Sequence, residues 1–144
     1  MLMLRELKEK LGLALVLITH DLGVVAGHAD RVAVIYAGLI VEEAEVRELF
    51  ANPRHPYTRG LIASIPKLNS AEDKLYSIPG APPMLGAIPE GCAFHPRCGF
   101  AQDICRKSLP PTLEFGQHRA ACHFAESLPP WRQAAPAMKG AAHE

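Results

Sequence analysis

Leu13 to Pro53 reads LALVLITHDLGVVAGHADRVAVIYAGLIVEEAEVRELFANP, and the changes of period along it decide the fold class. Leu13 to Thr19 is apolar on both alternating faces, which suits a fully buried parallel strand rather than one with a wet face. His20 and Asp21 then stand at the carboxyl end of that strand, the edge at which open α/β sheets bind ligands. Asp21 is a helix cap for Leu22 to Ala29, a helix that Gly23 and Gly27 weaken. Arg31 to Tyr36 and Leu39 to Glu43 are β-rich runs around Ala37-Gly38, a spacing that predicts a two-residue hairpin. A helix over Ala44 to Ala51 closes at Asn52-Pro53, because the residue before a proline is driven out of the helical region. The expected class is therefore α/β. A strand buried on both faces needs partners on both sides, and these residues supply few, so Met1 to Phe50 reads as the end of a larger α/β domain whose other strands are lost or lie on another chain.

Working outward, Leu4, Leu7 and Leu11 recur at helical spacing among charged residues, which predicts a short amphipathic helix over Met1 to Lys10 that Gly12 stops. Pro56 starts a further helix over Arg54 to Ile65, presenting Tyr57, Leu61 and Ile65 on one side. Residues 1–66 thus form one unit. Residues 67–90 lose all periodicity among Pro79, Gly80, Pro82, Pro83, Gly86 and Pro89, and read as an extended linker. Residues 91–124 form a cysteine segment, and 125–144 a tail of Pro, Ala and charged residues expected to be disordered apart from a contact by Trp131.

The bulk numbers exclude several classes of function. Fifteen basic and fifteen acidic side chains give a formal charge of zero, which favours neither nucleic acid nor an anionic membrane surface as a partner. The longest apolar run, Leu13 to Ile18, falls short of the roughly 20 residues of a membrane span, and Met1 to Lys10 lacks the layout of a signal peptide. The chain reads as cytoplasmic, without direct membrane insertion.

All four cysteines, Cys92, Cys98, Cys105 and Cys122, fall in the segment Gly91 to Phe124. With no sustained helical or strand period, that segment is not expected to build an ordinary core, so thiolates converging on a metal or cluster, or two disulfides, are the physical options. A reducing compartment argues against disulfides. The spacing matches neither the C-x₂₋₄-C pairs of zinc ribbons nor the C-x₂-C runs of bacterial ferredoxins. It leaves slack for three local thiolates and one remote one to reach a single cubane. His118 and His123 flank Cys122, and His95 lies between Cys92 and Cys98, so all three are alternative ligands; ordinary packing is the plainer reading for them and for His28 and His55. Arg54, Arg59 and Arg97 read as solvated charges.

Thr19-His20-Asp21-Leu22, Asp30-Arg31-Val32 through Val41-Glu42, and Leu49-Phe50-Ala51-Asn52-Pro53 with His55-Pro56-Tyr57-Thr58 follow one another in an order that resembles a known family. Pro79-Gly80, Pro82-Pro83, Pro89-Glu90-Gly91-Cys92, Pro96-Arg97-Cys98, Cys105 and Ala121-Cys122 continue it. Together they are similar to the carboxyl-terminal part of the ATP-binding subunit of ABC transporters, in the oligopeptide and dipeptide importer branch, from about Leu4 to Phe124. The resemblance implies the terminal part of a P-loop-type ABC ATPase domain followed by an irregular, cysteine-ligated carboxyl-terminal extension. It implies that His20 is the switch histidine that senses the γ-phosphate in an intact subunit. Cys92, Cys98, Cys105 and Cys122 would hold a [4Fe-4S] cluster, as on similar importer subunits, with zinc as the alternative. The partners implied are membrane permease subunits and a second ATP-binding subunit, which would hold the chain on the inner face of the cell membrane.

The departures limit what the resemblance can imply. No G-x-x-x-x-G-K-[ST] phosphate loop, no strand ending in adjacent Asp and Glu, and no Leu-Ser-Gly-Gly signature occurs in the 144 residues. Phosphoryl transfer is largely electrostatic positioning by those parts, so the expectation is that ATP and magnesium are used only in a complete subunit and that the chain alone does not hydrolyse ATP. Ala44 stands where the family more usually has glycine. The alternative reading, from a different class of function, is a stand-alone iron-sulfur or zinc module for interaction or redox sensing.

Overall fold

The structure is a computed structural model that describes residues 10–65, 77–84 and 86–131. Its centre is a sheet of four antiparallel strands in the order β1-β2-β4-β3. Strand β1 (Arg31–Tyr36) alternates strictly, with Val32, Val34 and Tyr36 buried and Arg31, Ala33 and Ile35 outward. It turns at Ala37-Gly38, both with positive φ (50° and 82°), as the tight hairpin turn requires, and returns as β2 (Leu39–Glu45). The predicted hairpin is present, with β2 two residues longer than expected. A register shift between Val34 and Ile35 marks a bulge and sets Val34 opposite Glu42.

Helix α1 (Leu22–His28) is capped as expected: Asp21 Oδ1 accepts the N–H groups of Gly23 (2.8 Å) and Val24 (3.2 Å). Helix α2 (Val46–Ala51) starts two residues later than the sequence suggests, because Ala44 and Glu45 are still paired to β1. Helix α3 (Pro56–Ala63) has Pro56 in its first turn and His55 as its cap, the ring accepting Tyr57 N–H at 3.0 Å. Its deepest face is Thr58, Arg59 and Ile62, whereas Tyr57 and Leu61 are half-buried against the core.

Two expectations fail here. Leu13 to Thr19 forms no strand; it runs as irregular backbone with Val16 86% and Ile18 95% exposed. No other parallel strand among the described residues offers it hydrogen bonds, and a two-faced apolar strand has no stable state at a sheet edge of its own. The extension, expected to be irregular, contains a 3₁₀ turn (His95–Arg97), helix α4 (Asp103–Lys107) and a hairpin of β3 (Thr112–Phe115) and β4 (His118–Ala121). That hairpin is part of the sheet, since β4 pairs with β2 through Glu42↔Ala120 and Glu43↔Arg119.

The amphipathic helix expected over Met1 to Lys10 lies outside the described residues except for Lys10, which is helical. Residues 77–84 carry no helix or strand, yet Ile78 packs on the core and Arg97 donates to the carbonyls of Pro79 (2.9 Å) and Ile78 (3.3 Å). The main core is Val32, Val34, Tyr36, Val41, Ala44, Leu49 and Phe94, and a smaller one is Ala120, Cys122 and Ala125. No helix among the described residues is long and apolar enough to cross a membrane.

Candidate metal centre

Each cysteine is placed by a different piece of local structure. Gly91 has φ of 72°, and a Cβ there would run into the Cys105 carbonyl oxygen, so only glycine lets the two segments touch. Cys92 N–H then donates to that same carbonyl at 2.8 Å. Cys98 caps the 3₁₀ turn, its N–H reaching the His95 carbonyl at 3.2 Å. Cys105 sits on α4, and Cys122 directly follows β4. Phe94 anchors the whole loop: fully buried, it lies 5.2 Å from the Tyr36 ring, 5.3 Å from Tyr57 and 5.9 Å from His55.

The result brings all four cysteines to one cleft, walled by Phe94, Phe100 and Phe124. No lysine, arginine or carboxylate lines it. The four thiols are free, which removes the disulfide reading for this arrangement. Burial pushes the Cys98 thiol up to about 12 and the Cys122 thiol up to about 11, and raises Cys92 as well. Backbone N–H groups oppose that rise, and the neighbouring sulfurs add to it. Among the described residues no three His, Cys, Asp or Glu side chains are grouped tightly enough to hold a single metal ion.

The histidines separate. His95 and His123 line the cleft, each with one ring nitrogen already donating to a carbonyl, that of Cys92 (3.0 Å) and of Ser108 (3.0 Å). His118, expected as an alternative ligand, faces Glu42 instead: its Nε2–H donates to Glu42 Oε1 at 2.7 Å. His20 is exposed before α1 and is not part of the cleft. The switch-histidine arrangement implied for it requires the strand that Leu13 to Thr19 does not form.

Sequence reasoning missed Glu42. It is 1% exposed and accepts three hydrogen bonds, from His118, from Arg54 N–H (2.6 Å) and from His55 N–H (3.0 Å). One carboxylate thus joins the hairpin, the His55-Pro56-Tyr57-Thr58 turn and the extension. The arginines read as solvated are engaged too. Arg59 is buried and donates to Pro53 and Pro129 carbonyls at 2.8 Å each, with its guanidinium 5.7 Å from the Trp131 ring. Arg54 lies over the Phe115 ring at 3.8 Å. Arg97 ties residues 78–79 down and reaches the Tyr36 hydroxyl at 3.4 Å.

Comparison with known proteins gives this arrangement a context. The family described as "Oligopeptide/dipeptide transporter, C-terminal region" matches residues 41–105. The chain is 48% identical over 125 residues to the dipeptide transport ATP-binding protein DppD of Caldanaerobacter subterraneus, covering 86% of this chain and 38% of that protein. It is 50% identical over 125 residues to DppD of Lactococcus lactis, covering 87% and 35%. It is 44% identical over 124 residues to the oligopeptide transport ATP-binding protein OppD of Salmonella typhimurium, covering 86% and 37%. The chain therefore spans less than two-fifths of the length of these relatives.

Proposed function

Because residues 41–105 carry the carboxyl-terminal region of the oligopeptide and dipeptide transporter family, we propose that this chain serves as the carboxyl-terminal part of an ATP-binding subunit that energises peptide import. Permease subunits and a second ATP-binding subunit are its partners, and it is peripheral to the inner face of the membrane through them. One observation carries the reading: the hairpin β1–β2, the His55-Pro56-Tyr57-Thr58 turn and the cysteine extension converge on Glu42, and the extension's own hairpin joins β1–β2 in one sheet. The extension is thus fastened to the hairpin, and none of these relatives supports its use as a separate redox or interaction module. The exposed Leu13 to Ile18 stretch fits the same reading, as a strand awaiting its sheet.

Without a phosphate loop or magnesium carboxylate in the 144 residues, the chain by itself does not turn over ATP. The test is a graft. This chain replaces the matching carboxyl-terminal segment of Lactococcus lactis DppD, and dipeptide uptake is measured in cells lacking their own DppD. Uptake near the unaltered level supports the proposal; a stably expressed graft with no uptake overturns it. Steady ATP turnover by the purified chain above an enzyme-free control would overturn the second statement.

The cysteines fit a [4Fe-4S] cluster on the chemistry of the donor set. Four free thiols face one cleft with no cationic lysine or arginine lining it, so thiolates there need a bound positive centre. A cluster would supply a covalent cross-link between segments distant in sequence; the protein's own residues fix the sulfurs and exclude water. His95 and His123 are the remaining candidate ligands. Anaerobic reconstitution followed by iron and sulfide analysis decides it, and a colourless protein with one zinc per chain rejects the cluster.

A further inference from the structure

Three histidines line the cysteine cleft, His55, His95 and His123, and their hydrogen bonds divide them into two kinds. His95 Nδ1–H donates to the Cys92 carbonyl at 3.0 Å, and His123 Nε2–H to the Ser108 carbonyl at 3.0 Å. In each neutral ring the other nitrogen is therefore a bare lone pair, able to accept or to ligate and unable to donate. His55 is the reverse. Its Nδ1 accepts the N–H of Tyr57 at 3.0 Å, which an imidazolium could not do, so the proton of the neutral ring is on Nε2.

The fold holds that ring from three sides. The main-chain N–H of His55 donates to Glu42 Oε2 at 3.0 Å, the Nδ1 bond caps α3, and the Phe94 ring lies 5.9 Å away. Nε2 is on the part of the ring far from its own main chain, and it makes no hydrogen bond to any described residue. At 1% exposure the residue has no bulk water to turn to, and a buried N–H without an acceptor is costly. The cleft that the ring lines holds four sulfurs and no carboxylate, so sulfur is the acceptor it offers. One main-chain donor already reaches a sulfur there, Phe124 N–H to Cys122 Sγ at 3.4 Å.

We propose that His55 is a positioning residue of this cleft whose Nε2–H donates a hydrogen bond to sulfur and stabilises the negative charge the sulfurs carry. The proposal rests on the cluster reading above for what the sulfurs hold, and goes beyond it by assigning them a side-chain donor. His55 is thereby set apart from His95 and His123 as a ligand, because its lone pair is taken by Tyr57. Hydrogen bonds to sulfur raise the reduction potential of a cluster without changing its ligands. The turn that fastens the extension through Glu42 thus also reaches the sulfurs, through the same residue.

The experiment uses the full chain with His55→Asn and His55→Gln. Asparagine keeps an acceptor where Nδ1 was and loses the far N–H; glutamine keeps a far N–H and gives up the cap. In the metal-free wild-type chain, ring-nitrogen magnetic resonance, with the His55 signals assigned by their loss in His55→Asn, is expected to show the Nε2–H tautomer. The Nδ1–H tautomer overturns the proposal whether or not either variant folds. After anaerobic reconstitution with iron and sulfide, the ratio of reduced to oxidised cluster at a fixed potential is expected to fall about 10-fold in His55→Asn and to stay within about 2-fold of wild type in His55→Gln. An unchanged ratio in His55→Asn, or an equal fall in both variants, overturns it. A wild-type chain that takes up zinc and no iron rejects the cluster reading instead. The donor is then judged with cobalt(II), whose thiolate charge-transfer band must move to lower energy in His55→Asn and stay in place in His55→Gln; a band unmoved in His55→Asn overturns the proposal there as well.

Discussion

Replacing Glu42 by alanine tests how the extension is fastened. The side chain is fully buried and is the acceptor for two main-chain amides, Arg54 and His55, and for His118 Nε2. Each buried amide left without an acceptor costs about 1–3 kcal/mol, and the lost charged bond to His118 costs about 1.5–3 kcal/mol. Relief from burying the carboxylate offsets part of this, so the net destabilisation expected is about 4 kcal/mol, in the range for breaking one side of a buried pair. The assay is urea unfolding of the full chain, followed by circular dichroism and by emission of Trp131, the sole tryptophan, which sits beside Arg59. His118→Ala leaves both amides satisfied and should cost about 1–3 kcal/mol. The double variant then completes a cycle with a coupling of about 1–2 kcal/mol. A Glu42→Ala loss below about 1 kcal/mol, or a coupling indistinguishable from zero, refutes the assignment of Glu42 as the joint.

Three further outcomes are expected. Burial holds His55 down to about 4 against 6.5 when exposed, the Glu42 carboxylate working the other way. A histidine depressed in the fold stabilises above its unfolded value and loses that contribution as protons bind the unfolded chain. Stability should thus fall as pH drops from about 6.5 to 4, by at most about 1.4 kcal/mol per unit. His55→Asn, which keeps the helix-cap acceptor, should flatten that slope; equal slopes in both proteins would remove His55 as the cause. Gly91→Ala must strain a positive φ and push Cys105 away, so a loss of about 2–4 kcal/mol in urea is expected, and an unchanged midpoint would contradict the close approach. Val16→Lys with Ile18→Lys should reduce self-association in light scattering while shifting stability by no more than about 0.5 kcal/mol; a large stability loss would mean that the stretch packs against something.

The hairpin β1–β2 was legible because Val32, Val34 and Tyr36 alternate without a break and Ala37-Gly38 can turn in two residues. Glu42 was not legible for a specific reason. A regular hairpin around that turn pairs Tyr36 with Leu39 and Ile35 with Ile40, and continuing it would set Glu42 opposite Ala33 on the solvent face. The bulge after Val34 shifts the register by one, so Glu42 faces Val34 and the core. Nothing in Glu42-Glu43 distinguishes the buried acid from the half-exposed one, which pairs with Arg31 and Arg119. The strand expected at Leu13 to Thr19 is absent, because its two apolar faces need neighbouring strands and the described residues pair none with it. Hairpin β3–β4 escaped notice because its strands are only four residues each and two of its inward positions are His118 and Ala120.

The energetics of β4 connect the carboxylate to the sulfurs. Only two residue pairs join β4 to β2, and the small core beneath it consists of Ala120, Cys122 and Ala125. Leu113, Phe115 and Phe124 pack against that core only partly buried, and each of the two strands is four residues long. The hairpin therefore depends on its polar fastening, Glu42 to His118 inside and Glu43 to Arg119 outside, and the inner bond fixes where Cys122 begins. A cluster of the kind proposed for the cysteines would add a second, covalent fastening to the same strand. His118→Ala should then destabilise the metal-free chain by its full amount and the loaded chain by much less, because ligation of Cys122 replaces what the histidine did. Equal losses in both forms would mean that the sulfurs do not share in docking β4.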